Sequence, residues 1–166
     1  MIYREAIQVQ SRDRAVSFHD VTPQVKEAIA KSGVQNGIVV VYSHHTTCSV
    51  ITQECAFDMS ESGLETLQQD LVDVMDKLVP TQIPGAGMYQ HPGPEALAFA
   101  EEHGEDYFGC HNTDAHLRSS IIGRSVTVVI VDGKPDLGDF GFIHFIDFDQ
   151  TRARKRTVQI MVMGEA

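Results

Sequence analysis

The 166-residue chain has only three cysteines, Cys48, Cys55 and Cys110. They are odd in number and lack C-x-x-C spacing, which speaks against a disulfide framework or a thiolate zinc site. Each reads as a small buried hydrophobe, with Cys48, three residues after His45, nearest to other reactive groups. Positive charge is also scarce: 13 Lys and Arg stand against 23 Asp and Glu, a net charge of −10. Such a surface is unsuited to displacing counterions from a nucleic-acid backbone, although one local basic patch is enough for a small anion. No apolar run approaches the roughly 20 residues that cross a membrane. Arg4 and Glu5 place charge where a secretory signal is apolar, so a cytoplasmic protein without a membrane partner is expected. Repeats, low-complexity tracts and linkers are missing, which predicts a single domain over residues 1–166. The motifs H-E-x-x-H, P-loop and G-x-S-x-G are absent as well.

What is present is an ordinary apolar fraction with alternating and helical periodicities. Ile7 and Val9, then Val16 and Phe18, alternate with polar residues and predict strands over 2–10 and 14–19. Thr22-Pro23 predicts a helix start capped by Thr22, with Val25, Ala28 and Ile29 on one face and Gly33 as the stop. The run Ile38-Val39-Val40-Val41 predicts a buried strand over 37–43, followed by a short strand over 48–52. Leu64, Leu67, Leu71, Val74, Met75 and Leu78 recur at helical spacing and predict one long helix over 57–78, ended by Pro80. Residues 79–93 hold three prolines and three glycines and read as a long functional loop. Helices are predicted over 95–103 and 113–122, and strands over 125–131, 135–137, 140–148 and 156–163, with a hairpin signal at Asp132-Gly133. Strands at both ends with helices between them predict an α+β fold with mainly antiparallel pairing.

Four stretches carry side chains capable of chemistry. Ser43-His44-His45-Thr46-Thr47 ends a strand and is followed by Glu54 and Asp58, which share a face if a helix begins early. Tyr89-Gln90-His91-Pro92 places an imidazole in the long loop. Cys110-His111-Asn112-Thr113-Asp114-Ala115-His116 opens a helix, whose free N–H groups favour anions. Asp147, Asp149, Arg152, Arg154, Lys155 and Arg156 include the only basic cluster in the chain. Arg152 is the residue expected to grip a phosphate, and Arg154, Lys155 and Arg156 read as a solvated strand edge. Taken together, His45, His91 and His116 form a candidate three-histidine set that leaves a metal an open position, as catalytic sites require.

The order of these motifs resembles the YjbQ-like family, some of whose members are described as secondary thiamine-phosphate synthases. The resemblance runs through His45-Thr46-Thr47, Glu54 and Asp58, Leu78-Val79-Pro80, Tyr89-Gln90-His91, Asn112-Thr113-Asp114-Ala115-His116, Asp132-Gly133-Lys134, Leu137-Gly138, and Asp149 with Arg152. The chain departs from the family at Phe140-Gly141, where a Trp-Gln pair is usual, and at Gln150-Thr151, where Gly-Pro is usual. Its connection over 93–110 is also longer than is common.

The resemblance implies an α+β, mainly antiparallel β sandwich with flanking helices that assembles as a homotrimer. It also implies a transferase joining a pyrimidine diphosphate to a thiazole phosphate with release of pyrophosphate. On that reading Glu54, Asp58 and His116 are catalytic. Thr46, Thr47, Asn112, Asp114, Asp149 and Arg152 bind the anionic substrate, and His45, His91 and His116 hold a divalent metal, zinc or magnesium. A non-catalytic metabolite-binding module and a metal-dependent hydrolase are the alternative readings of the same residues.

Overall fold

The computed structural model describes residues Met1–Ala166. The chain forms β1 (Ile2–Gln10), β2 (Ser17–Asp20), α1 (Thr22–Ser32), β3 (Asn36–Tyr42), β4 (Cys48–Glu54), α2 (Thr66–Leu78), α3 (Pro94–Glu102), α4 (Thr113–Ile122), β5 (Ser125–Val131), β6 (Lys134–Pro135), β7 (Gly141–Asp147) and β8 (Lys155–Glu165). The strands make two antiparallel sheets, one in the order β1-β8-β3-β5-β6 and one in the order β2-β7-β4. The α+β fold with antiparallel pairing is therefore the observed one.

The main core lies between the sheets. Val39, Val41, Val128, Ile130, Val158, Ile160 and Val162 from the larger sheet meet Cys48, Val50, Ile143 and Phe145 from the smaller. Helix α1 adds Val25, Ala28 and Ile29. A second cluster covers the other side of the smaller sheet, where Ile146, Phe148 and Ala115 pack with Leu71, Val72 and Ile122. Strand β7 is thus sandwiched on both faces, which explains its unbroken buried run from Ile143 to Asp147.

Local chemistry sets the boundaries. Gly33 ends α1 with φ of 74°, a left-handed conformation open to glycine. The cap at its start differs from the expected one. The Asp20 carboxylate accepts from the Thr22 amide at 2.9 Å, while the Thr22 hydroxyl accepts from Ile143 N–H at 2.8 Å. The turn at Asp132-Gly133 has both φ values positive and joins β5 to β6 as a two-residue hairpin, with Pro135 tolerated because β6 is an edge strand.

The predicted long helix is the main correction. Helix α2 begins at Thr66, not at residue 57. Phe57 and Gly63 both take positive φ, and Met59 bridges to Glu65, so residues 55–65 fold into a turn. Glu65 and Gln68 then form a reciprocal capping box that starts the helix. Glu54 and Asp58 consequently share no helix face.

Candidate functional site

Helix α4 and the loop over 79–93 bring two of the sequence-predicted histidines together. The loop is fastened to the helix start by Gln82, whose side chain accepts from the Thr113 amide at 2.8 Å and donates to the His91 carbonyl at 3.0 Å. The Thr113 hydroxyl donates to the same carbonyl at 2.8 Å. The His91 ring then lies edge-on to the His116 ring, with centroids 6.0 Å apart. Burial pushes the His116 imidazole below its ordinary value and the neighbouring His91 adds to this, while Asp149 and the Thr46 backbone pull the other way. His116 is therefore a neutral base at neutral pH.

Arg118 holds the same loop from below. Its fully buried guanidinium donates to the Val79 carbonyl at 2.7 and 3.1 Å, to Asp76 at 2.9 Å and to the Thr81 hydroxyl at 3.2 Å. Asp114, one turn earlier on α4, is 4% exposed, and burial raises its carboxyl above the usual range against the pull of Arg118.

A pocket of about 320 Å³ opens beside the histidines. Its walls include His91, Glu105, Cys110, Asn112 and Arg154. Behind it lies a buried polar network. Arg156 donates to Asp147 at 2.7 and 3.3 Å and to the Thr47 hydroxyl at 3.1 Å. Asp147 also accepts from the Asp149 amide at 2.9 Å, and Asp149 accepts from Asn112 at 3.1 Å and from Thr151 through its amide and hydroxyl at 2.9 and 2.6 Å. Both aspartates are fully buried. The network ties the β7–β8 connection, the start of β4 and the start of α4 into one frame under the pocket.

The sequence model of the YjbQ-like UPF0047 proteins matches residues 5–165 of this chain. A UPF0047 protein of Methanocaldococcus jannaschii is 30% identical over 161 residues, covering 97% of this chain and 94% of that protein. The UPF0047 protein YugU of Bacillus subtilis is 26% identical, with 95% and 96% covered. A solved YjbQ/UPF0047 structure from Clostridium acetobutylicum superposes with a TM-score of 0.72 at 26% identity, covering 96% of this chain and 99% of that one. A YbjQ-like protein of Sulfolobus solfataricus, 21% identical and with 99% of each chain covered, shares the fold with a TM-score of 0.73. The chain belongs to the YjbQ-like UPF0047 family.

The residues carrying the family pattern fall into three places. His91, Asn112, Asp114, His116 and Asp149 gather around α4, with Thr47 joined to them through Arg156. Asp114 and Asp149 are buried and turned toward Arg118, backbone amides, Asn112 and Thr151, so they position neighbours and present little to a ligand. Thr46 is exposed, its backbone beside His116.

His45 stands apart from the pair. Beyond Tyr42 the β3–β8 ladder ends, and the Thr157 amide donates to His45 Nε2 at 2.9 Å. A neutral imidazole has one lone-pair nitrogen, and here it is occupied by that amide. Burial and the nearby Arg156 lower this histidine too. Within the chain no three His, Cys, Asp or Glu side chains are placed to hold a metal ion, so the expected three-histidine set is not assembled within it.

Glu54 and Asp58 lie elsewhere. Glu54 ends β4, about 20 Å along the strand from Cys48. It borders a separate cleft with Thr52, Asp136 and Leu137. Asp58 is exposed in the turn before α2. Arg152, expected to grip a phosphate, donates to Glu105.

Arg156 and Arg118 are the residues that sequence reasoning missed. Arg156 was expected on a solvated edge, yet it is 4% exposed. Its signal was parity: Arg156, Val158, Ile160 and Val162 alternate along β8, and all four point inward. Arg118 had a similar signal, four residues after Asp114 on the same helix face. Cys48 is a core residue whose thiol burial pushes far up, as its apolar reading predicts.

Proposed function

We propose that the chain is an enzyme for a small phosphorylated substrate, a transferase of the thiamine-phosphate synthase kind. The observation carrying this reading is that His91, Asn112 and Arg154 line one pocket, with the neutral His116 ring against His91. Arg154 and Asn112 supply donors for a diphosphate, whose charge grows as it leaves. In the reaction the bond from the pyrimidine methylene carbon to the diphosphate oxygen breaks, and its electron pair departs with pyrophosphate. The thiazole nitrogen lone pair forms the new carbon–nitrogen bond. His91, at the pocket wall, and the His116 ring beside it orient the two phosphorylated partners.

Two histidines from one chain fall short of the donor set of a resident zinc. The reading therefore takes the divalent cation as magnesium arriving with the diphosphate. It also takes the open side of the larger sheet as the contact between copies of a homotrimer. That side presents Ile2, Tyr42, Val129 and Val131, each exposed, where a solvated antiparallel face is polar.

Incubation with the pyrimidine diphosphate, the thiazole phosphate and magnesium tests the reading through formation of thiamine phosphate and pyrophosphate. His116→Ala is expected to slow turnover by about 10²-fold through loss of substrate positioning. Binding of both precursors without product would support a metabolite-binding module, and release of inorganic phosphate from simple esters would support a hydrolase. A monomeric mass by light scattering would refute the homotrimer.

A further inference from the structure

Arg154 is the one arginine of the basic cluster whose donors are left unused. Its Nε is buried without a hydrogen-bond partner. The two carboxylates paired with it, Glu105 and Asp149, stand at 3.8 and 3.9 Å, beyond hydrogen-bond reach. Arg156, by contrast, donates to Asp147 and Thr47 at 2.7 and 3.1 Å, and Arg152 donates to Glu105. The single carboxylate of Glu105 thus lies between two guanidinium groups at the wall of the pocket.

Glu105 reaches this position on the long connection between His91 and Cys110. Helix α3 on that connection buries none of its residues. The Arg152 and Glu105 side chains are 33% and 42% exposed. An ion pair so open to water contributes at most about 1 kcal/mol, a factor of about five in binding. A phosphate group presents more charge than a carboxylate and accepts both arms of a guanidinium fork.

We propose that Arg152 and Arg154 form a seat for a phosphate or diphosphate group, that Glu105 occupies this seat in the free chain, and that the ligand binds by displacing Glu105. The proposal rests on the anion-binding part of the function proposed above and adds a built-in competitor to it. Delivered by the long 93–110 connection, that competitor sets how tightly the pocket holds free pyrophosphate.

The test is calorimetric titration of the intact protein with inorganic pyrophosphate at constant ionic strength. Glu105→Gln is expected to tighten binding about two- to fivefold. Glu102→Gln removes the same charge from an exposed position on α3 and is expected to leave affinity unchanged. Arg154→Gln is expected to weaken binding about tenfold or more, with or without Glu105→Gln. Equal or weaker binding by Glu105→Gln, or equal tightening by Glu102→Gln, would overturn displacement. If in that case Arg154→Gln still weakens binding, the anion-binding reading survives alone. Pyrophosphate binding by none of the variants nor the wild type would remove both.

Discussion

Two arginine–carboxylate clusters stand back to back in this protein, and they differ in almost everything except chemistry. In the Arg156–Asp147 pair the side chains are 5% and 0% exposed, and the guanidinium donates through Nε and one terminal nitrogen to Asp147 and Thr47 within the frame formed by β4, β8 and the start of α4. In the Arg152–Glu105 pair the side chains are partly open to water, and Arg154 beside them is incompletely partnered. Asp149 touches both sides, at 3.8 Å from Arg156 and 3.9 Å from Arg154. Burial is what separates the roles. A buried charge without its partner carries the full cost of desolvation, so the inner pair is fixed. The outer pair loses little when it opens, so it can exchange one anion for another.

The largest expected effect is on the inner pair. Arg156→Met leaves Asp147 and Asp149 buried without their cation and is expected to lower stability by about 3–5 kcal/mol in a urea denaturation series. A loss below about 1 kcal/mol would show that water reaches the frame, and the contrast between the clusters would collapse. Arg118→Met comes next. It strips the Val79 carbonyl of both its arginine bonds and frees the loop that carries His91, for an expected loss of about 2–3 kcal/mol. Because that loop orients His91 against His116, this variant should also bind pyrophosphate more weakly at temperatures where it remains folded.

Much of this arrangement was legible in the sequence, and the illegible parts share a physical cause. The β-branched runs, Gly33 and the start of α4 at Asn112-Thr113 are local signals, and the structure follows them. The 57–65 stretch misled because Leu64 and Leu67 continue the period of Leu71 and Met75, while positive φ at Phe57 and Gly63 is a tertiary choice. His91 and His116 stand out in the sequence as chemistry-bearing residues, but their approach depends on Gln82, an ordinary polar residue in a loop. The partners of the three arginines in the basic cluster are not legible in the sequence. Arg152, Arg154 and Arg156 alternate within five residues and are alike in type; strand parity marks Arg156, and burial separates it from the other two.

A third buried polar group extends the comparison to acid sensitivity. His144 on β7 is 3% exposed, and neither ring nitrogen has a hydrogen-bond partner. Burial lowers its pKa, against the pull of Asp20 and Glu65. Between that lowered value and the ordinary value of about 6.5, the unfolded chain takes up a proton that the folded chain refuses. Stability is therefore present above about pH 6.5 and declines as pH falls through that window. His144→Leu removes both the unpaired ring and the proton uptake. It is expected to stabilise the fold by about 1 kcal/mol at neutral pH, and by more near pH 5.5. His19, His45 and His116 are lowered by burial as well, so some acid sensitivity remains in the variant. A denaturation midpoint with unchanged pH dependence would show that His144 takes up its proton as readily in the fold as in the unfolded chain.

The smallest effect is the one that most sharpens the contrast. Glu105→Gln removes the carboxylate between Arg152 and Arg154, yet it should change stability by less than about 0.5 kcal/mol. Its pair is open to water, and the helix before it contributes nothing to either core. The two arginines then repel each other without an intervening anion, and added salt should screen that repulsion. The variant is therefore expected to gain slightly more stability from salt than the wild type. A loss comparable to that of Arg156→Met would mean that Glu105 is part of the frame, and an anion could then not displace it without unfolding the wall of its own pocket.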